Sequence, residues 1–264
     1  MVKKDFSHIK GVMFDLDGVF YIGDSTIEGS LETIERLRKS GLPFRFTTNT
    51  TTKSRATLLT KLNRLGLPIK ANEVFSAPEV AIRYLRKQGS PSCFLCLNDD
   101  LMQDFSEFTH TDQSPDFVVI GDINDGWHYD LLNKMFRMII GGAEIIALHK
   151  GRYWHEPDGL YLDIGAFVAG LEYTTSKQAM IIGKPSAAFF HLVAEDMGIP
   201  PQQVMMVGDD VVSDVGGAQK AGLSGVLVKT GKYRDELVQK SGVTPDAVID
   251  SVASLPDLLP IENL

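Results

Sequence analysis

The feature that most limits what this chain can fold into is an alternation of short apolar runs with amphipathic stretches, present at both ends of the sequence. Residues 9–14 predict a strand. Residues 30–39 predict a helix, with Leu31, Ile34 and Leu37 at helical spacing and Gly41 as its stop. A strand over 43–47 and a helix over about 54–64, stopped by Gly66, follow. Strand and helix in alternation build βαβ units, and those units set their strands parallel. The far end repeats the pattern, with strands expected at 180–182, 204–207 and 225–228 and a helix over 187–197. The two ends are therefore expected to share one sheet.

Between them lie about a hundred residues, enough for a domain, with an alternation of their own. Helices are expected at 79–87 and 129–140, and strands at 93–97, 117–120 and 144–148. The expected architecture is α/β, a doubly wound, Rossmann-like parallel-sheet core from 1–78 and 180–264, interrupted by an inserted α/β domain over 79–179. A length of 264 residues suits this division.

Composition narrows the function. A formal net charge of −8 argues against nonspecific affinity for nucleic acid or an anionic membrane, since both attract a basic surface. No segment approaches the roughly 20 consecutive apolar residues that span a bilayer, and the apolar start is interrupted by Asp15 and Asp17, unlike a secretory signal. A cytoplasmic protein is expected. Cys93 and Cys96 are the only cysteines, and no second pair at ligand spacing follows them, so they predict reduced core residues rather than a zinc site.

Four polar groups follow apolar strands in order. In F-D-L-D-G-V, Asp15 and Asp17 stand two apart, so an extended backbone would turn both carboxylates to one side, with Gly18 opening the turn. Ligands bind at the carboxyl ends of strands in open α/β sheets, although such a pair could also be a solvated turn. Next, Thr48 and Asn49 end F-R-F-T-T-N-T, where hydroxyl, amide and main-chain N–H groups can cradle an anion or simply cap a helix. In I-I-G-K-P-S, Lys184 could neutralise a phosphoryl group or lie on the surface. Finally, V-M-M-V-G-D-D-V-V-S-D offers Asp209, Asp210 and Asp214 either as hard oxygen ligands of the kind Mg²⁺ prefers or as helix caps. Phosphoryl transfer needs a nucleophile, charge neutralisation and a managed leaving group, and the four groups together provide those chemical types.

With these motifs the chain resembles the haloacid dehalogenase superfamily of phosphohydrolases, and the long insert between the second and third motifs is similar to the α/β cap of its NagD and 4-nitrophenyl-phosphatase type. The resemblance implies Asp15 as nucleophile, forming an aspartyl-phosphate, and Asp17 as general acid and base. It implies Mg²⁺ on the carboxylates of Asp15 and Asp209 and the main-chain carbonyl of Asp17. Thr48, Asn49 and Lys184 would bind the phosphoryl group. Asp214 would orient Lys184 or a metal-bound water, and Asp210 is left without a settled role. The cap would read the leaving group of a small phosphorylated substrate, with phosphoamides, pyrophosphate, sugar phosphates and nucleotides all open, and could mediate a homodimer. Within the insert, L-D-I-G-A-F around Asp163 and Gly165 reads either as a substrate-facing loop or as an amphipathic helix using Ile164, Phe167, Val168 and Leu171. Likewise K-G-R-Y-W-H-E reads as a substrate contact through Arg152, Trp154 or His155, or as an exposed hairpin.

Two other classes fit part of the pattern. A phospho-accepting signalling domain shares the aspartate, acids, Thr and Lys, but Asp17 would promote hydrolysis of its phosphoryl group and the insert would serve no purpose there. A weakly active interaction protein on a retained hydrolase fold is the remaining alternative.

Overall fold

Gly11–Asp15 is buried along its whole length, as a strand must be when helices cover both faces of a parallel sheet. The computed structural model to which it belongs describes residues 5–156 and 159–259, with backbone alone at 154–156. Two units emerge from the packing: one of Met1–Thr48, Leu58–Phe75 and Lys184–Leu264, the other of Asn49–Thr57 and Ser76–Gly183.

In the first unit, Gly11–Asp15 pairs in parallel with Val204–Gly208 on one side and Phe44–Thr48 on the other. Ser224–Val228 and Ala247–Ile249 extend the sheet beyond Val204–Gly208, and Val74–Ser76 closes the opposite edge, giving six strands. Chain order therefore runs outward in one direction from the first strand and later in the other. Strand order reverses between Gly11–Asp15 and Val204–Gly208, and the crevice at such a reversal is where open sheets bind ligands.

One face of this sheet packs an aromatic cluster. Phe14, Phe20, Phe44 and Phe46 meet at centroid separations of 5.2–6.5 Å, most of them edge to face. The helix Ser30–Ser40 covers the unit through Ser30, Thr33, Ile34 and Leu37, a stripe at helical spacing. Leu31, expected on that stripe, is instead exposed, because it is one residue and thus about 100° away from Ser30.

The second unit holds a four-stranded sheet in the order Met180–Ile181, Glu144–Ala147, Phe117–Ile120, Cys93–Cys96, parallel throughout. Helices Tyr129–Ile140 and Gly165–Thr175 bury Met135, Ile139, Val168 and Leu171 against it. Phe94 and Cys96 join that core while Cys93 is buried elsewhere, as strand alternation requires. Both thiols are free and buried. Burial pushes Cys93 up to about 11 and Cys96 up to about 12, which makes them poor nucleophiles and metal ligands.

The assignment of 180–182 to the large sheet is corrected. Met180 lies opposite Ile146, and the Ile182 N–H donates to the Ala147 carbonyl at 2.9 Å. The strand Glu144–Ala147, helix Gly165–Thr175 and strand Met180–Ile181 form one crossover, which returns the chain beside its own starting strand. Two edge strands of the large sheet, Val74–Ser76 and Ala247–Ile249, went unread because each has only three residues.

Phe46 sits at the centre of the aromatic cluster and is fully buried. Phe46→Ala is expected to cost about 3–5 kcal/mol of stability in urea unfolding followed by near-ultraviolet circular dichroism. A loss below about 1 kcal/mol would mean that the cluster collapses around the cavity.

Candidate active site

The central strand ends in Asp15, and the neighbouring strand ends in Gly208 just before Asp209, so the parallel register delivers both carboxylates to the crevice at the strand reversal. Lys184 supplies the cation. Its Nζ lies 2.5 Å from Asp15 Oδ1 and 2.7 Å from Asp214 Oδ1, with its side chain only 2% exposed. Carboxylate oxygens of Asp15, Asp209 and Asp214 all fall within 4.8 Å of one another, and all three residues are buried.

Charge does not balance in this cluster. Burial works against the Lys184 charge, yet Asp15 and Asp214 together hold its pKa well above the ordinary lysine value. The ammonium therefore stays charged, and one buried positive charge faces three buried acids, with exposed Lys232 adding a weaker pull on Asp15 and Asp209 from outside. Burial raises the Asp15 pKa despite Lys184, and the charge of Asp209 adds to the rise. Burial likewise pushes Asp209 up to about 6, against the pull of a main-chain N–H, and pushes Asp214 up to about 6 in spite of Lys184. Three hard oxygen donors with surplus negative charge fit a hard divalent cation, which would relieve the repulsion that otherwise has to be met by protons.

Two loops press on Asp209. Gly18 has φ +86°, and a Cβ there would fall 1.9 Å from Asp209 Oδ2; Gly231 has φ +59°, and its Cβ would fall 2.0 Å from the same oxygen and 2.5 Å from Gly18 Cα. Only glycine fits either place without strain. The second loop also donates the Lys232 N–H to Asp209 Oδ2 at 2.7 Å, and the Thr230 hydroxyl donates to the Gly18 carbonyl. Thr230, Gly231 and Lys232 were missed in the sequence. Their signal was available, since V-K-T-G-K directly follows the strand Ser224–Val228 and so leaves the same sheet edge as the other motifs.

The remaining expected residues divide. Thr48 is buried one position beyond Thr47, which lies opposite Asp15 in the register. Asn49 groups with the second unit, where its Oδ1 stands 3.0 Å from the position of a Cβ on Gly183. Asp17 is exposed and does not join the three-carboxylate group, because the chain leaves extended geometry after Asp15. Asp210 is a cap: its Oδ1 accepts from the N–H groups of Val212 and Ser213 at 3.0 and 2.9 Å, opening the π-helical segment Val211–Gly216. Asp214 holds Lys184 and also accepts the Asp210 N–H at 3.2 Å.

In the second unit, L-D-I-G-A-F enters the helix Gly165–Thr175, with Ile164, Val168 and Leu171 buried and Phe167 stacked on Trp127 at 4.1 Å. The Asp163 carboxylate accepts the Ile164 N–H at 2.7 Å and lies 3.6 Å from His149 Nδ1. Arg152 is exposed beside a hairpin of Tyr153–Glu156 and Gly159–Leu162, while the side chains of Trp154 and His155 lie outside the described residues.

Comparison with known proteins fits this geometry. The haloacid dehalogenase-like hydrolase family matches residues 12–110, and a second, HAD-hydrolase-like, family matches 181–255. Phospholysine phosphohistidine inorganic pyrophosphate phosphatase of Danio rerio is 40% identical over 257 residues, covering 95% of this chain and 94% of that protein. The chain belongs to the haloacid dehalogenase-like hydrolases. Haloacid dehalogenase-like hydrolase domain-containing protein 2 of Homo sapiens is 40% identical over 244 residues, covering 92% of this chain and 93% of its own. Among solved structures, a 4-nitrophenylphosphatase from Thermotoga maritima superposes with TM-score 0.86 at 28% identity, covering 96% of this chain and 98% of that one. NagD from E. coli superposes with TM-score 0.82 at 25% identity, covering 93% and 97%.

The raised carboxyl pKa values give stability a definite pH dependence. Asp209 and Asp214 titrate at about 6 in the folded protein, against roughly 3.9 when unfolded. A raised carboxyl favours the folded state while it is protonated, so this contribution is complete below about pH 4 and is lost as pH rises through about 6. In EDTA, the thermal midpoint is expected to fall between about pH 4 and about pH 6 and to level off above that, and added Mg²⁺ at pH 8 to restore it. A midpoint that rises over this range, or ignores Mg²⁺, contradicts the charge imbalance.

Proposed function

We propose that this phosphatase is magnesium-dependent and works through an aspartyl-phosphate on Asp15. The observation that supports the reading best is the buried Lys184 ammonium between Asp15 and Asp214, beside Asp209. Mg²⁺ bound there would supply charge neutralisation and Lewis acidity, with Asp15, Asp209 and the main-chain carbonyl of Asp17 as its protein ligands.

An Asp15 carboxylate oxygen attacks phosphorus in line, and the bond to the leaving oxygen or nitrogen breaks as that atom takes a proton from Asp17. Water then gives a proton to Asp17 and attacks the acyl phosphate, releasing inorganic phosphate and regenerating the Asp15 carboxylate. One water is consumed and both residues return to their starting state. Lys184 offsets the charge on Asp15 and on the equatorial oxygens, and Asp214 fixes where its ammonium stands. Thr48 and Asn49 hold phosphoryl oxygens from the end of the strand Phe44–Thr48 and the residue after it. Exposure of Asp17 suits a group that exchanges protons with a leaving group and with water in turn.

The substrate is a small phosphorylated compound. The relatives' names support phosphoamides or pyrophosphate, and the structural neighbours support phosphate esters. The unit around Ser76–Gly183 serves as the cap that reads the leaving group, a reading supported by its insertion in the chain between Thr48 and Lys184. Its exposed groove of about 610 Å³, lined by Tyr129, Phe136 and Phe167 among others, supports a homodimer through the cap. Free thiols at Cys93 and Cys96 are in keeping with a cytoplasmic location.

Turnover of p-nitrophenyl phosphate is expected to require Mg²⁺, and Asp15→Asn is expected to lose at least about a thousandfold in kcat. Phosphate release by the parent protein with and without Mg²⁺, beside the variant, checks both. A parent that turns over no phosphate compound would return weight to an interaction protein on this fold.

A further inference from the structure

Lys184 is held by two carboxylates and, in the reading above, serves the reacting phosphoryl group, so it is not available to a second anionic group. Lys232 stands at the rim of the same cluster in the same unit. Its main chain is fixed, because its N–H binds Asp209, Gly231 packs on Gly18, and the Gly231 carbonyl accepts from Arg234 at 3.0 Å. Its ammonium, by contrast, is only loosely engaged: the nearest acid oxygen is Asp210 Oδ2 at 3.8 Å, and the side chain is 72% exposed. Asp210 is meanwhile committed through Oδ1 to capping. The neighbouring Lys229 is taken by Asp250 at 2.9 Å.

We propose that Lys232 is a specificity residue that binds a second anionic group on the leaving side of the substrate, and so selects a diphosphate such as pyrophosphate over a simple phosphate ester. The inference rests on the phosphatase reading above. A rooted backbone with a loosely held, charged tip suits this role, because the second phosphate of a diphosphate gives the ammonium an anion to hold, whereas the uncharged leaving portion of a simple ester does not. Displacing the 3.8 Å contact to Asp210 costs little, since so long and exposed a pair contributes weakly.

The test compares kcat/KM for pyrophosphate with kcat/KM for p-nitrophenyl phosphate, both with Mg²⁺, in the parent, Lys232→Met and Lys232→Arg. Methionine keeps the main-chain N–H that holds Asp209. The pyrophosphate-to-ester ratio is expected to fall about tenfold or more in Lys232→Met, the size of one charge-assisted hydrogen bond, and to stay within about threefold of the parent in Lys232→Arg. A ratio unchanged within about twofold in Lys232→Met, an equal fall in both variants, or a parent that cleaves the ester but not pyrophosphate overturns the proposal while leaving the phosphatase reading intact. A parent silent on both substrates overturns the two together.

Discussion

A single buried ammonium placed between two carboxylates, with a third close by, is the constraint around which this site is organised. Lys184 cannot neutralise Asp15, Asp209 and Asp214 at once, and none of them has water enough to disperse its charge. Left alone, such a cluster takes up protons, and the raised pKa values of all three acids express that demand. A divalent cation would answer the same demand without protonating Asp15. On the proposed reading, the stability lost in keeping the acids together would become affinity for metal and phosphoryl group, a common relation between strain and function.

The fold accomplishes the placement with few devices. A parallel sheet brings the strand ends Asp15 and Gly208 level, and the reversal of strand order between them opens the crevice. Two left-handed glycines, Gly18 and Gly231, then allow loop backbone to close on Asp209, where any side chain would collide with its carboxylate. The Lys232 N–H and the Thr230 hydroxyl tie those loops together.

Much of this was legible in the sequence because it follows strict rules. Apolar runs of four or five residues marked the central strands, and the acids placed just after Gly11–Asp15 and Val204–Gly208 reach the binding edge of that parallel sheet, whereas Lys184 follows a strand of the other sheet. What escaped is equally physical. Val74–Ser76 and Ala247–Ile249 are too short to show a period, and Met180–Ile181 has the composition of either sheet, so only its pairing decides. Asp15 and Asp17 look equivalent in D-L-D-G, yet one is buried and the other exposed, since extended geometry ends between them. Asp209 and Asp210 are neighbours with opposite duties, one in the cluster and one capping, which adjacency alone cannot separate. Thr230–Lys232 was marked by its place just after the strand Ser224–Val228, but it carries no acid, and its role depends on a contact with Gly18 more than two hundred residues earlier in the chain.

The most direct test of the covalent role assigned to Asp15 is to trap the intermediate. p-Nitrophenolate leaves without help from an acid, whereas hydrolysis of an acyl phosphate needs the base. Asp17→Asn, mixed with p-nitrophenyl phosphate and Mg²⁺, quenched in acid and digested, should therefore accumulate one phosphoryl group, labile to hydroxylamine, on the peptide containing Asp15. A phosphoryl group found on another peptide, or steady turnover with Asp15 never modified, would contradict the account.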